Sequence, residues 1–130
     1  MKKDQLIYWI TTGILAIMML FSAYSYFTNA DIKGAFTHLG FPDYFRLELG
    51  AAKAAGAVLL IIPAVSVKVK EFVYAGFAIT FVSAFIAHIS SGDPFSVAFP
   101  PLVFAAILAV SYIYFLKLNK GKAVNIATVK

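Results

Sequence analysis

The sequence contains no cysteine, which excludes disulfide frameworks, thiolate metal sites, iron–sulfur ligation and thiol redox catalysis. It has only two histidines and no HExxH pair, phosphate-binding glycine loop or serine–histidine–aspartate spacing. Charged residues make up 13% of the chain, about half the usual share, and so little charge excludes disorder. The chain lacks the residues that most classes of enzyme require, and we predict neither a catalytic residue nor a specific metal site.

Apolar residues are abundant instead. They form 62% of the 130 residues, against roughly 45–50% in a soluble domain, and the mean hydropathy is +0.86. A soluble domain this small could not bury so much apolar surface, so the chain is expected to lie in lipid. The net charge of +5 would suggest nucleic acid only if it formed a basic patch, but the lysines flank apolar runs, and no nucleic-acid partner is predicted.

Four apolar segments approach the roughly 20 residues that cross a bilayer. They cover residues of about 5–28, 44–67, 70–91 and 99–118. Because lipid offers no hydrogen-bond partners, such segments are predicted to be helices. The expected fold is all-α, an integral membrane four-helix bundle formed by a single domain over residues 1–130, with a flexible basic tail at 119–130. Pro63 is expected to kink or end the second helix.

The positions of the basic residues predict the orientation of these helices. Eight of the eleven Lys and Arg residues precede helix 1, separate helices 2 and 3 or follow helix 4: Lys2, Lys3, Lys68, Lys70, Lys117, Lys120, Lys122 and Lys130. Both termini are therefore expected on the cytoplasmic side of a multi-pass protein of the cell's inner membrane. The tyrosines near the helix ends are interpreted as lipid anchors at headgroup level.

The second segment carries unusual charges, Arg46, Glu48 and Lys53. A charge at the centre of a bilayer costs roughly 2.5–3.5 kcal/mol, so these side chains should face the bundle or water. At 100° per residue Arg46, Gly50 and Lys53 share one seam, whereas Glu48 points elsewhere. Lys53 is the deepest charge, and it either snorkels or meets a carbonyl or carboxylate, the candidate carboxylates being those of Glu48, Asp43, Asp31 and Asp93.

His88 lies near the outer end of the third segment, and Asp93 follows it after a bend. This pair is interpreted as a proton relay, a weak metal site or a simple hydrogen-bonded cap. We predict an outer-half polar pocket for a ligand or a partner's helix, formed by Arg46, Glu48, Gly50, Lys53, His88 and Asp93. The alternative is an ion-pair cluster that only fixes helix register. Small residues at four-residue spacing fit packing within the bundle or a homo-oligomer seam.

Several motifs resemble those of the DoxX-like family of membrane proteins. They are Lys53 in RLELGAAKAAGAVLLIIP, the Tyr74–Phe77 sequence YAGF, and His88 with Gly92-Asp93-Pro94. The resemblance implies a compact four-helix membrane bundle. The family includes members linked to thiosulfate:quinone oxidoreductase and membrane redox complexes, and an animal branch resembles the nicotinic receptor chaperone NACHO.

The function expected from these observations is that of a membrane protein without catalysis of its own. It would act as a chaperone or accessory protein, or bind a small ligand such as a lipid, through the outer-half pocket. The alternative is the membrane subunit of a quinone-linked oxidoreductase, because a quinone needs only an apolar slot and one or two polar groups. The lipid bilayer is the expected partner, with another membrane protein as a further candidate.

Overall fold

The computed structural model describes the backbone of residues 2–129 and the side chains of residues 2–120, and this part of the chain is helical without strands. The all-α prediction is confirmed. The helices are α1 (Lys2–Thr28), α2 (Ala30–His38), α3 (Asp43–Ile61), α4 (Val67–Ser90), α5 (Phe95–Ala98) and α6 (Pro100–Val129). The predicted basic tail at 119–130 lies, apart from its first two residues, outside the described side chains.

Capping residues fix where helices begin. Asn29 interrupts the chain after α1, and its side chain accepts a hydrogen bond of 2.9 Å from the backbone N–H of Asp31. This cap starts the short helix α2, which the sequence analysis treated as loop. Ser66 caps α4 in the same manner by accepting the N–H of Val69 at 3.3 Å.

Pro63 ends α3 earlier than the expected limit near residue 67. Proline disfavours the helical conformation of the residue before it, and Ile62 is extended, with ψ of 115°. Helix α3 therefore stops at Ile61, and a short connection leads to α4.

Two glycine–X–proline sequences end helices in the same way. Gly40 and Gly92 have φ of 85° and 81°, the left-handed conformation that glycine adopts without strain. The following residues reach back: the N–H of Phe41 donates to the Phe36 carbonyl at 2.9 Å, and the N–H of Asp93 donates to the His88 carbonyl at 3.0 Å. These are Schellman caps, and the prolines that follow place the chain in the entry to α3 and α5.

The four long helices pack in a ring, in which α1 contacts α3 and α6, and α4 contacts α3 and α6. Helix α1 buries one stripe at helical spacing, which includes Tyr8, Thr12, Leu15, Met19 and Ala23. The stripe packs into a core that continues through the other helices with Ala57, Leu60, Tyr74, Phe77, Phe81, Leu108 and Phe115.

The surface of this ring is apolar. Phe21, Phe72 and Ile79 are 72%, 70% and 67% exposed, and similar side chains cover every long helix. Water would leave such a surface prone to association, whereas lipid tails solvate it. In the described part of the chain, three segments are long and apolar enough to cross a membrane: Lys2–Thr28, Val67–Ser90 and Phe95–Lys120. Helix α3 differs from them because it carries four charged side chains.

Candidate functional site

The seam predicted on α3 is the buried face of that helix. Arg46, Gly50, Lys53 and Ala57 are buried, and Glu48 is exposed, as expected from 100° per residue. The buried seam faces α1, the helix that α3 contacts most extensively. Lys53 consequently finds its partners on α1, and Arg46 contacts both α1 and Asp43 of its own helix.

Lys53 is 7% exposed and reaches two hydroxyls of α1. Its Nζ donates to Oη of Tyr26 at 2.6 Å and to Oγ of Ser22 at 3.1 Å, and it lies 4.3 Å from the centroid of the Tyr26 ring. Within residues 2–120 no carboxylate forms an ion pair with Lys53. The ammonium is thus solvated by neutral oxygen atoms and an aromatic face, and the carboxylate partners considered from the sequence do not supply its counter-charge.

Arg46 occupies the next polar position on the seam. Its Nε and Nη2 donate to Oδ1 of Asp43 at 3.0 and 2.9 Å, and its Nη1 donates to the backbone carbonyl of Tyr26. That carbonyl belongs to the last turn of α1, where the helix cannot satisfy it. Tyr26 therefore joins both cations of the seam, Arg46 through its backbone and Lys53 through its side chain.

Gly50 allows the two helices to approach between these cations. A Cβ built at Gly50 would lie 3.0 Å from the Phe27 ring and 3.2 Å from Cβ of Tyr26. Such contacts are tighter than side chains normally make, so a larger residue would force Phe27 or Tyr26 of α1 to shift. The close approach keeps the hydroxyl of Tyr26 within reach of Lys53.

His88 and Asp93 meet, and a third residue joins them. Nδ1 of His88 and Nε2 of His38 each lie 2.7 Å from one carboxylate oxygen of Asp93. The Schellman cap of α4 turns Asp93 back towards His88, and the end of α2 brings His38 to the opposite oxygen. Hydrogen bonds from His88 and from His38 lower the pKa of Asp93, which lies in the turn between α4 and α5.

Five of the six predicted pocket residues thus form two separate clusters. Arg46, Gly50 and Lys53 line the α1–α3 contact, whereas His88 and Asp93 form a clip with His38 between α2 and the end of α4. Glu48 belongs to neither cluster and has no side-chain hydrogen bond or ion pair among the described residues. In that part of the chain no group of three or more His, Cys, Asp or Glu residues is arranged to hold a metal ion.

A groove of about 390 Å³ runs between α3 and α4, beside Lys53. Its volume falls within the range of small-molecule sites. The lining is almost entirely apolar, with polar groups at Lys53 and Thr80. Several lining positions, among them Phe72 and Gly76, are exposed on the outer surface of the ring, so the groove opens sideways to whatever surrounds the helices. Its lining includes Lys53, Gly56, Phe72, Gly76, Phe77 and Thr80.

A second cavity, of about 360 Å³, lies between α4 and α6. Alanine side chains form much of it, with Tyr74, Tyr112 and Glu71 as its polar groups. The Tyr112 hydroxyl donates to Oε1 of Glu71 at 3.3 Å. The hydroxyl of Tyr74 is turned into the core, where it lies 2.7 Å from Oγ of Ser111. The polar groups of this cavity are therefore already hydrogen-bonded to other side chains.

Sequence reasoning missed Ser22, Tyr26 and His38. The tyrosines were interpreted as lipid anchors, and Tyr26 instead accepts hydrogen bonds from Arg46 and Lys53 within the protein. A usable signal exists for Ser22 and Tyr26, because residues four apart share one face of a helix. For His38 the signal is its position in the last turn of α2, directly before the Leu39-Gly40 sequence that ends the helix.

Comparison with known proteins identifies the family of the chain. The sequence model of the DoxX-like family matches residues 10–111, which is most of the chain, and the protein belongs to this family. The match includes all four long helices in part or whole, Lys53, and the His88–Asp93 pair. Neither a curated protein nor a solved structure gives a significant match.

Proposed function

We propose that this member of the DoxX-like family is an integral membrane protein that binds an amphipathic small molecule from the lipid phase, in the groove between α3 and α4. The observation that carries the proposal is the combination of a buried ammonium, that of Lys53, with a sideways-open apolar groove beside it. Ionisable groups inside membrane helices are costly, and they commonly belong to functional sites. No catalytic step is part of the proposal.

Loose packing between α3 and α4 supports a ligand site there. Around Gly76 the groove is open, because a Cβ built at this residue meets no atom within 4 Å. Gly56, on the facing helix, is tight, since its Cβ would lie 2.9 Å from the Phe77 ring. Gly56 and Phe77 therefore close the inner side of the groove, whereas the exposed face at Gly76 leaves its outer side open to a flexible apolar chain.

The proposed membrane arrangement is a four-helix bundle in which α3 crosses the bilayer together with the three apolar segments. The cations of its seam, Arg46 and Lys53, face α1, and the exposed Glu48 lies only five residues from the start of the helix, so the charges of α3 are compatible with insertion. The excess of Lys and Arg near both termini and near residues 62–70 supports a cytoplasmic location for these regions, with α2 on the outer side of the inner membrane.

The absence of native cysteine makes this topology directly testable. Single cysteines at Thr37 in α2 and at Lys68 at the start of α4 are labelled in intact cells with a membrane-impermeant maleimide. We expect labelling of the Thr37→Cys protein in intact cells, and labelling of the Lys68→Cys protein only after permeabilisation. Equal labelling of the two proteins in intact cells would contradict the four-span arrangement.

Filling the groove tests ligand binding. Gly76→Leu places a side chain into open space in the groove, and Gly13→Leu is a matched control, because a Cβ at Gly13 on α1 also meets no atom within 4 Å and Gly13 does not line the groove. Native mass spectrometry of the gently extracted proteins should show a small-molecule adduct on the wild type and Gly13→Leu, and its loss in Gly76→Leu. An adduct retained by Gly76→Leu would exclude the groove.

The same spectra address the other expectations. The mass and chemistry of the adduct distinguish a lipid from a quinone, which separates simple binding from the subunit of a quinone-linked oxidoreductase. The mass of the particle shows whether a second copy or another membrane protein accompanies the chain. A particle of one chain without an adduct in every variant would contradict the proposed function.

A further inference from the structure

We infer that the ligand of the α3–α4 groove is a single-chain amphiphile with a carboxylate head, of the fatty-acid type, and that Lys53 binds this head. The inference rests on the proposed function and adds the charge of the ligand. Its basis is a charge imbalance beside the groove, together with the depth and shape of the groove.

The charge imbalance concerns Lys53 and its surroundings. Arg46 on the same seam is matched by Asp43, whereas Lys53 contacts only the neutral hydroxyls of Ser22 and Tyr26. A charged group inside a membrane protein is normally paired with an opposite charge. Since no carboxylate of residues 2–120 pairs with Lys53, an anion supplied by a ligand would complete the site.

The hydrogen-bonding capacity of Lys53 agrees with this assignment. An ammonium has three N–H donors, and two of them are used by Tyr26 and Ser22. Lys53 also lines the groove, and within residues 2–120 its third donor has no hydrogen-bond partner. A carboxylate oxygen is the acceptor that gives the strongest bond to such a donor.

Depth limits the size of the head. Lys53 is ten residues from Asp43, the first residue of α3, which corresponds to about 15 Å along the helix. A phosphodiester headgroup would have to be drawn that far into the bilayer, whereas a carboxylate is small and leaves its hydrocarbon chain in the apolar part of the groove. The sideways opening at Phe72 and Gly76 lets a chain enter from the lipid.

The test compares three amphiphiles that share one hydrocarbon chain and differ only in the head group. Oleate, oleyl alcohol and methyl oleate are titrated onto the purified protein at alkaline pH, where oleate is ionised, and bound fractions are read by native mass spectrometry. We expect one oleate to bind per protein molecule. Its affinity should be at least about tenfold higher than that of the alcohol or the ester, because only oleate forms a charge-assisted hydrogen bond. Equal affinity for the three amphiphiles would overturn the inference.

Two variants test whether Lys53 causes the preference for oleate. Lys53→Met should bring oleate to the affinity of oleyl alcohol, whereas Lys33→Met, the same change at an exposed lysine of α2 away from the groove, should keep the tenfold preference. A preference that survives Lys53→Met, or is lost in Lys33→Met, overturns the assignment to Lys53. If Lys53→Met does not fold, the comparison of heads on the wild type still decides whether charge matters.

Failure of this inference is distinguishable from failure of the proposed function. Oleyl alcohol bound by the wild type and lost in Gly76→Leu, with no gain for oleate, would retain the groove as a binding site and remove the anionic head. Binding of none of the three amphiphiles would contradict both proposals.

Discussion

The Nζ atom of Lys53 lies 2.6 Å from the phenolic oxygen of Tyr26, on the neighbouring helix. This bond joins a buried charge to a residue whose backbone carbonyl also holds Arg46. Tyr26 further packs edge-on against Phe36 of α2, with ring centroids 5.0 Å apart. One tyrosine thus connects the charged seam of α3 to the short helix α2, and its removal should destabilise the protein.

Tyr26→Phe should lower the free energy of unfolding by about 1–3 kcal/mol, because it removes a hydrogen bond to a buried charge. Equilibrium unfolding in detergent micelles measures the change. Tyr24→Phe is the control: Tyr24 is 67% exposed, and its loss should stay within about 0.5 kcal/mol. In the Lys53→Met background Tyr26→Phe should cost less, since no charge then needs the hydroxyl. Equal losses for Tyr26→Phe and Tyr24→Phe would contradict this account.

A buried chain of hydroxyls joins three helices in the core. Oγ of Ser111 in α6 lies 2.7 Å from Oγ1 of Thr12 in α1 and 2.7 Å from the Tyr74 hydroxyl in α4. Ser111 and Thr12 are fully buried, so water cannot replace a lost partner. Because each hydroxyl depends on the central one, Ser111 is the most sensitive position.

Ser111→Ala is expected to destabilise the protein by about 0.6–2 kcal/mol, the range for hydrogen bonds within membrane bundles and protein interiors. Ser25→Ala serves as the control, because the Ser25 hydroxyl is bonded only to the Phe21 carbonyl of its own helix. Thermal unfolding of the two variants in one detergent compares them directly. If both lost the same stability, the buried hydroxyl chain would not contribute beyond a local bond.

The parts of this structure that the sequence predicted depend on local geometry. The buried seam of α3 follows from the helical rotation between Arg46, Gly50 and Lys53, and Pro63 ends α3 by sterics that act on Ile62. The apolar exterior likewise follows from hydropathy. These features need no knowledge of how one helix is turned relative to another.

The partners of Lys53 could not be predicted without knowing how α1 is turned relative to α3. Ser22 and Tyr26 lie on α1, and which of its faces meets α3 is decided by packing around Gly50 and by the whole core. The sequence therefore offered snorkelling, a carbonyl or a carboxylate for Lys53, and did not indicate these two hydroxyls. His38 was missed for a related reason: α2 is short and starts from the Asn29 cap, a local signal that hydropathy does not register.

Glycines at two positions should respond in opposite directions to alanine. At Gly56 a Cβ would lie 2.9 Å from the buried Phe77 ring, so Gly56→Ala should cost about 1–3 kcal/mol by overpacking. At Gly34, in the exposed middle of α2, a Cβ meets nothing within 4 Å, and Gly34→Ala should stabilise by about 0.5–1 kcal/mol through helix propensity. Unfolding free energies of both variants test the pair.

A compensating change identifies the cause at Gly56. Phe77→Leu shortens the side chain that a Cβ at Gly56 would meet, so the double variant Gly56→Ala/Phe77→Leu should lose less stability than the sum of the single variants. Strict additivity would mean that the cost of Gly56→Ala does not arise from this contact.

The clip formed by His38, Asp93 and His88 should make stability depend on acid pH. The two imidazoles lower the pKa of Asp93 below its unfolded value of about 3.9, so the unfolded chain binds more protons in this range than the folded protein. The resulting stability is complete above the unfolded pKa and is lost as the pH falls through the folded pKa. Asp93→Asn removes this contribution at every pH.

The stability difference between the wild type and Asp93→Asn should therefore be constant from about pH 5 to the unfolded pKa and shrink below it. Denaturant unfolding between about pH 5 and pH 2.5 in one detergent measures that difference. Asp31→Asn is the control, since the side chain of Asp31 forms no ion pair within residues 2–120, and its curve should run parallel to the wild type. His88→Ala should reproduce more of the Asp93→Asn effect than His38→Ala, because the His88 side chain is 21% exposed and that of His38 is 53% exposed. If the stability difference between the wild type and Asp93→Asn grew towards acid pH, the clip would not be the source of the pH dependence.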